Sequence, residues 1–555
     1  MIFKPNGTLD LATAATDIQE QDMTRCKNLR VETSGKVELR RGSRRITTTR
    51  LSGQYLAVMD GNRIAGVGKA IYWNETLAIN GMQGPDWDGC RYKSYNQTTR
   101  DFFMTNGTDR IRIDASGNAY QWGIEPPTTA PTLAAGASTG LTGTYNVKYT
   151  YVRKSGTTVI SESNPSPAGT AVDLNDESLS ITWTASSDSQ VTHVRIYRTL
   201  ADGEIYYYSD EVAIGSVTLD DDNADSALST LVETDHDRPP TGGECVAGPL
   251  FNGYVFMSVG SNLWWSDPQQ PEYWPTTNYV ECAGPDEPIT ALCEFDGRLY
   301  AFSKYGCWHI QGTGTGTFLP IRLPVSAGAA NKQSVVPVVG RGIYHTGQDG
   351  IYQIAGGVDK GVTDSRFLPI FDGKETNGVP AVTNITASWM VQFHNKIFFH
   401  YLTGYCLVLN IDNNRASYYE YDGRLFPGVV DEKNDRLLAY DVSGHVRRLE
   451  DPSATEDSGT DINWEVQSKD FTMQTRAHFP RLAKYDIESS GTNVKAEIIL
   501  DGVSHQTHWI VNGTTQVASY DRNPRRRLIV EGNGERCAIR ISGTGRTTIY
   551  AAEME

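Results

Sequence analysis

The sequence predicts an all-β protein: a β-propeller with an inserted immunoglobulin/fibronectin-like sandwich and a terminal β-sandwich. Three observations lead there. The chain is rich in residues that suit a pleated, half-buried surface, with 28 Tyr and 11 Trp among many Val, Ile and Thr, while 53 Gly supply turns. A hairpin pattern recurs at near-constant spacing. Two rigid pairs, Pro126-Pro127 and Pro239-Pro240, bracket a segment of different charge. At 555 residues the chain exceeds one ordinary domain of roughly 150 residues, so several cores are expected.

The first segment, residues 1–50, is basic: from Arg25 to Arg50 there are nine Lys/Arg against Glu32 and Glu38. Its alternating Lys36-Val37-Glu38-Leu39-Arg40 reads as a strand that can join the C-terminal sandwich. The one helical candidate, Ala12–Gln21, has its apolar stripe interrupted by Thr, Asp and Gln.

Residues 51–127 and 241–452 carry the repeat. Each copy is a turn pair, a run of alternating apolar residues, a Gly-containing turn and a second run, which is a β-hairpin pattern. The clearest copies begin at Asn252-Gly253, Asp296-Gly297, Arg341-Gly342, His394-Asn395 and Asn434-Asp435, with further ones at Asp109 and Gly53. Gly253 to Gly297 is 44 residues and Gly297 to Gly342 is 45, within the ~40–50 residues of a four-stranded propeller blade. A single such blade is apolar on both faces and exposes its edges, so its neighbours must stack around an axis. The rival arrangement is a series of unrelated β-sandwiches.

Residues 128–240 hold sixteen Asp/Glu against six Lys/Arg. Period-two runs at Thr144–Val152, Leu179–Trp183, Val194–Arg198 and Ile205–Tyr208 predict the inserted sandwich, with Trp183 and Tyr197 as core or corner residues. After Pro452, runs at Ile462–Val466, Val494–Ile498, Trp509–Val511, Leu528–Val530 and Ala538–Ile541 predict the terminal sandwich over 453–555.

No catalytic or metal pattern stands out. His505 and His508 lie three apart, which in a strand turns them to opposite faces. Asp221-x-Asn223-x-Asp225 opens like a calcium loop, but Ser226 stands where Gly is required and Val232 where a bidentate Glu belongs. Gly312-Thr313-Gly314-Thr315-Gly316 lacks nucleotide-cradle spacing. The eight cysteines are scattered without a C-x-x-C pair, so they are expected to be buried free thiols. No cofactor is expected. The net charge of −16 argues against a tight nucleic-acid binder, whose affinity would come from Lys and Arg replacing counterions. The first residues lack a secretion-signal pattern and no apolar run is long enough to span a membrane, so synthesis in the cytoplasm is expected. The candidate contact residues are two clusters, Arg40, Arg41, Arg44 and Arg45, and Arg525, Arg526 and Arg527. Such clusters meet acidic surface on a neighbouring subunit, meet phosphate, or form a solvated face.

Several stretches resemble the tail hub or nozzle proteins of short-tailed phages, also called tail tubular protein B or phage stabilisation proteins. They are Met23–Val31 with Gly35–Gly42, Gly143–Val152, Glu162–Pro167, Val194–Thr199, and Gly253–Phe256 through Leu263–Pro268. The resemblance implies a non-enzymatic virion protein, a hexamer below the portal and its adaptor ring, with tail fibres or a tip protein as further partners. Genomic DNA would pass transiently through its channel. The alternative function is a propeller that binds or cleaves host surface carbohydrate.

Overall fold

The computed structural model describes residues 2–32, 34–94, 97–137, 139–363, 366–472, 483–513, 515–516 and 534–554. Half of the chain is strand and 2% is helix, and no helix among the described residues is long and apolar enough to cross a membrane. The protein is all-β, and its dominant motif is the antiparallel four-stranded meander of a propeller blade.

Seven such meanders occur among the described residues: Tyr55–Asn80, Asp88–Gln121, Gly243–Glu281, Ile289–Arg322, Val335–Gly361, Trp389–Glu420, and a seventh of composite origin. The seventh takes three strands from Val429–Asp451 and its fourth from the N-terminal strand Gly42–Arg45 (Arg447 opposite Arg45, Arg448 opposite Arg44). The turn pairs that marked the repeat are the reason the hairpins form. Asn252 and Gly253 have φ of 71° and 96°, and Asp296 and Gly297 have 52° and 68°. Positive φ at both central residues is what a two-residue hairpin turn between right-twisted strands, as at Asp296-Gly297, requires. Two copies are out of step with the rest: at Asp109, Arg110–Ile113 and Ala119–Gln121 are the third and fourth strands of their sheet, and at Gly53, Tyr55–Met59 is the first strand, where the other copies supply the second and third.

The chain divides into two compact units, residues 1–77, 302–307 and 323–555 in one, and 78–301 and 308–322 in the other. In the first unit, the leading strands of successive meanders lie side by side: Val335–Val338 beside Trp389–Phe393, then Val429–Asp431, then Tyr55–Met59. The strand Arg436–Tyr440 shows how the layers are held. Leu437 and Ala439 bury into a core with Phe398, Cys406 and Tyr419 on one side, while Leu438 and Tyr440 bury with Leu56, Val58 and Ala65 on the other. Successive side chains point to opposite faces, so a strand with both faces covered must be apolar throughout. In the second unit Asp88–Tyr92, Gly243–Leu250 and Ile289–Phe295 follow one another in the same way. Their interlayer cores centre on Phe103, Trp122 and Trp274, and on Phe256, Leu263 and Leu299.

Between the first and second meanders of that unit lies a β-sandwich. One layer orders Thr158–Glu162, Val147–Ser155, His193–Thr199 and Tyr206–Ala213; opposing strands are Thr132–Ala135, Leu179–Thr182 and Thr218–Asp221, with Leu141–Tyr145 paired to Val172–Glu177. Tyr149, Ile181, Trp183 and Ile196 fill its core, and Tyr197, 4% exposed, gives its hydroxyl hydrogen to Glu162 at 2.7 Å.

In the first unit a further double layer combines both ends of the chain. Arg25–Lys27 inserts between Ala416–Glu420 and Asn463–Gln467, and the sheet continues through Arg536–Thr544, Thr492–Leu500 and Val503–Trp509. Facing it, Ile2–Phe3, Thr547–Met554, Val37–Leu39 and Leu29–Val31 form one sheet, joined by Ala483–Ser489. Residues 1–50 therefore serve two structures, since Val37–Leu39 enters the terminal domain while Gly42–Arg45 completes a propeller meander. Ala12–Gln21 forms turns, not a helix, because the Asp10 carboxylate accepts the Ala12 and Thr13 N–H groups at 3.0 Å each and folds the chain locally. Leu528–Val530 lies outside the described residues.

Candidate interaction surface

The basic strand Gly42–Arg45 runs between Val446–Asp451, antiparallel, and Glu456–Asp457, parallel. Gly42 is required there: a Cβ would stand 2.2 Å from the Glu456 carbonyl oxygen. The first two residues of the strand are enclosed and the last two are exposed. Ser43 is buried and donates its hydroxyl hydrogen to Asp457 at 2.9 Å.

Arg44 and Arg45 project outward, with side chains 61% and 41% exposed, above carboxylates that are almost fully covered. Arg44 lies 3.4 Å from Asp451 and Arg45 3.0 Å from Asp441. Beneath them Arg447 links Asp441 to Asp422, and Arg448 approaches Asp451 at 3.7 Å. Burial would push the Asp441 carboxyl up, but the Ser443 hydroxyl, the His445 N–H and the Arg447 and Arg45 guanidinium groups hold it well below the usual carboxylate range. Asp451 is lowered in the same manner, the desolvation being overcome by Ser453, Arg448 and Arg44. An open cleft of about 500 Å³ adjoins Arg44 and Arg45 and is lined also by Thr455, Glu456 and Ser458. Exposed guanidinium groups over fixed carboxylates can receive acidic side chains. No cluster of metal-ligating residues occurs among the described residues.

The other predicted arginines fare differently. Arg41 is half-buried, and Arg525, Arg526 and Arg527 lie outside the described residues. Arg40 is not a surface residue. Its guanidinium gives all five N–H hydrogens internally: Nε to Asn28 Oδ1 at 2.9 Å, Nη1 to Asp457 Oδ1 and the Arg41 carbonyl at 3.1 Å each, and Nη2 to Asp457 Oδ2 and to the Glu420 carbonyl, the last at 2.9 Å. The group also lies 4.4 Å from the Tyr421 ring centroid. Burial of a charge demands a partner, and Asp457, from more than 400 residues further on, supplies it.

The calcium-like loop has a protein cation at its centre. Arg198, wholly buried, donates from Nε to Asp221 at 2.8 Å, from Nη1 to Asp225 at 2.7 Å and from Nη2 to the Asn223 carbonyl at 2.7 Å. The acidic turn thus wraps a guanidinium. A second buried charge cluster joins the sandwich to the meanders of its own unit. Arg153 meets Glu272 at 2.5 Å, Arg112 meets Glu272 at 3.5 Å and Asp101 at 2.9 Å, and both arginines donate to Gln190 at 3.2 Å. Burial raises the Glu272 carboxyl, but Arg153 and Arg112 more than reverse this and leave it lowered. Sequence reasoning missed this cluster because its members stand far apart in four elements, with no motif spacing. All eight cysteines are buried and none is in a disulfide, and burial pushes Cys26 up to about 12.

No protein-family model matches the chain, and no curated protein does. Among solved structures it is similar to BamB from Moraxella catarrhalis at 14% identity over 73% of this chain and 99% of that one, with a TM-score of 0.34. The computationally designed Ika8 protein has 10% identity over 74% and 99%, TM-score 0.34. AztD from Citrobacter koseri has 14% over 72% and 86%, TM-score 0.28. Likenesses this distant carry no functional argument.

Proposed function

We propose that this chain is a structural subunit of a hexameric ring in the tail of a short-tailed phage, part of the conduit through which the genome leaves. The observation that carries the reading is the resemblance of its opening, insert and third-meander segments to tail hub proteins. Those segments have structural work in this chain: Arg25–Lys27 and Gly42–Arg45 tie the meanders to the terminal domain, and Val147–Ser155 is central to the insert. Arg44 and Arg45 offer a basic patch to an acidic neighbour, and the insert exposes Asp173, Asp176, Asp202, Glu204, Asp220 and Asp222. Acidic walls suit a conduit, because Lys- or Arg-lined walls would capture passing phosphates.

Native mass spectrometry and electron microscopy of the purified protein, alone and with its adaptor ring, test this. Sixfold rings are the expected result, and a monomer that never joins a ring overturns the reading. Arg44→Gln with Arg45→Gln should lower the ring fraction while leaving thermal stability nearly unchanged, since Asp441 keeps Arg447 and Ser443 and Asp451 keeps Arg448 and Ser453.

A further inference from the structure

In the first unit a cleft of about 260 Å³ opens between the fifth and sixth meanders, with an apolar floor that includes Ile397, Leu409 and Phe367. Its polar lining is dominated by donors. Lys360 and Arg366 both line it and make no ion pair among the described residues, and no Asp or Glu is among its lining residues. Arg366 is held in place through its backbone, its carbonyl accepting the Leu11 N–H at 2.8 Å, so the guanidinium is left without a described partner.

Two buried groups give the cleft direction. Asn410 is 5% exposed and its side-chain oxygen accepts the Asp412 N–H at 3.0 Å, which fixes the amide so that Nδ2 is the free end. That Nδ2 has no hydrogen-bond partner. A buried amide nitrogen without an acceptor costs about 1–3 kcal/mol, and because Nδ2 is covered it reaches an acceptor in the cleft through a small shift of the Asn410 side chain. Tyr344, also 5% exposed, lines the same space, and burial raises its phenol, which therefore remains a hydrogen donor at neutral pH.

Two cations without an ion pair among the described residues and two neutral donors around an apolar floor select against cations and call for an acceptor-rich anion. The volume lies below the ~300–1,000 Å³ of clefts for drug-sized ligands, so the occupant is small. We propose that this cleft binds a compact molecule bearing one carboxylate or phosphate, such as an acidic monosaccharide or a sugar phosphate. Lys360 and Arg366 hold the anionic group, and Asn410 Nδ2 and the Tyr344 hydroxyl orient the body. The site belongs to one chain and does not depend on ring assembly.

Isothermal titration calorimetry of the full chain with D-glucuronate, D-glucose 6-phosphate and D-glucose tests this. Binding of either anion, with none of glucose, supports the proposal, and the anion that binds identifies the head group. Failure of both anions to bind, or glucose binding as tightly as they do, overturns it. Lys360→Gln and Arg366→Gln should each weaken binding at least tenfold, and Asn410→Asp should do so by replacing an amide donor with a negative charge in a site for an anion. Lys304→Gln, at an exposed position on a different meander, should bind as wild type does. Should Asn410→Asp not fold, the two cation variants decide alone: unchanged affinity in both refutes the site.

Discussion

Replacing Arg40 by Met should loosen the joint at which the N-terminal strand Gly42–Arg45 completes its propeller meander. Met preserves much of the apolar volume but removes five donated hydrogen bonds and the charge opposite Asp457. The Asp457 side chain, 5% exposed, is left with the Ser43 hydroxyl as its side-chain donor among the described residues. Removing one partner of a buried ion pair costs about 3–5 kcal/mol. At ~1.4 kcal/mol per tenfold, the opening equilibrium of this joint should rise between roughly a hundredfold and a few thousandfold. Hydrogen–deuterium exchange by mass spectrometry reads this directly in peptides covering Gly42–Arg45 and Val446–Asp451, with Ile289–Phe295 as a remote reference. Arg40→Met combined with Asp457→Asn should exchange more slowly than Arg40→Met alone, because no uncompensated charge remains. Exchange at wild-type rate in the Arg40→Met peptides would refute the strut reading, as would equal acceleration in the remote reference.

Three further outcomes are expected. His400, fully covered and stacked on Trp389 at 3.9 Å, is pushed down to about 3 by burial and then by Arg40. Below its unfolded value near 6.5 the unfolded chain takes up a proton that the folded chain refuses, so stability should fall by about 1.4 kcal/mol per pH unit on acidification through that window. His400→Phe should flatten the denaturation curve there, and an unaltered slope would contradict the assignment. Glu450 is raised by burial despite Lys396 and Arg40, and its Oε1 has no partner. The folded state therefore keeps a proton that the unfolded state has lost above about 4.3, so stability declines as pH rises through the folded value, and Glu450→Gln should raise the melting temperature at neutral pH. Arg198→Met, which strands the buried Asp221, should cost about 3–5 kcal/mol and expose residues 128–240 to limited proteolysis, whereas added calcium should leave the wild-type melting temperature unchanged.

How much was legible differs by feature. Hairpins at Asn252, Asp296, Arg341, His394 and Asn434 could be read because turn chemistry and period-two alternation are local, and the same holds for Thr144–Val152 and Leu179–Trp183 in the insert. The fate of Arg40 could not be read beside that of Arg44 and Arg45. All three belong to one basic run, yet one is enclosed and two are exposed, because the enclosing groups come from residues 28, 420 and 457. The Asp221–Asp225 turn departs from a calcium loop at Ser226 and Val232, but the cation it holds, Arg198, lies on another strand and has no local signal.

By itself the sequence determined the all-β class, the repeat and the position of the insert, since alternation and positive-φ turn residues act over a few neighbouring peptides. The tertiary structure alone decided that residues 42–45 complete the seventh meander, which arginines are enclosed, and that Lys360, Arg366, Tyr344 and Asn410 share one cleft. Those outcomes depend on long-range partners, and the cost of burying a charge or an unpaired amide is set by whatever distant group the fold brings beside it.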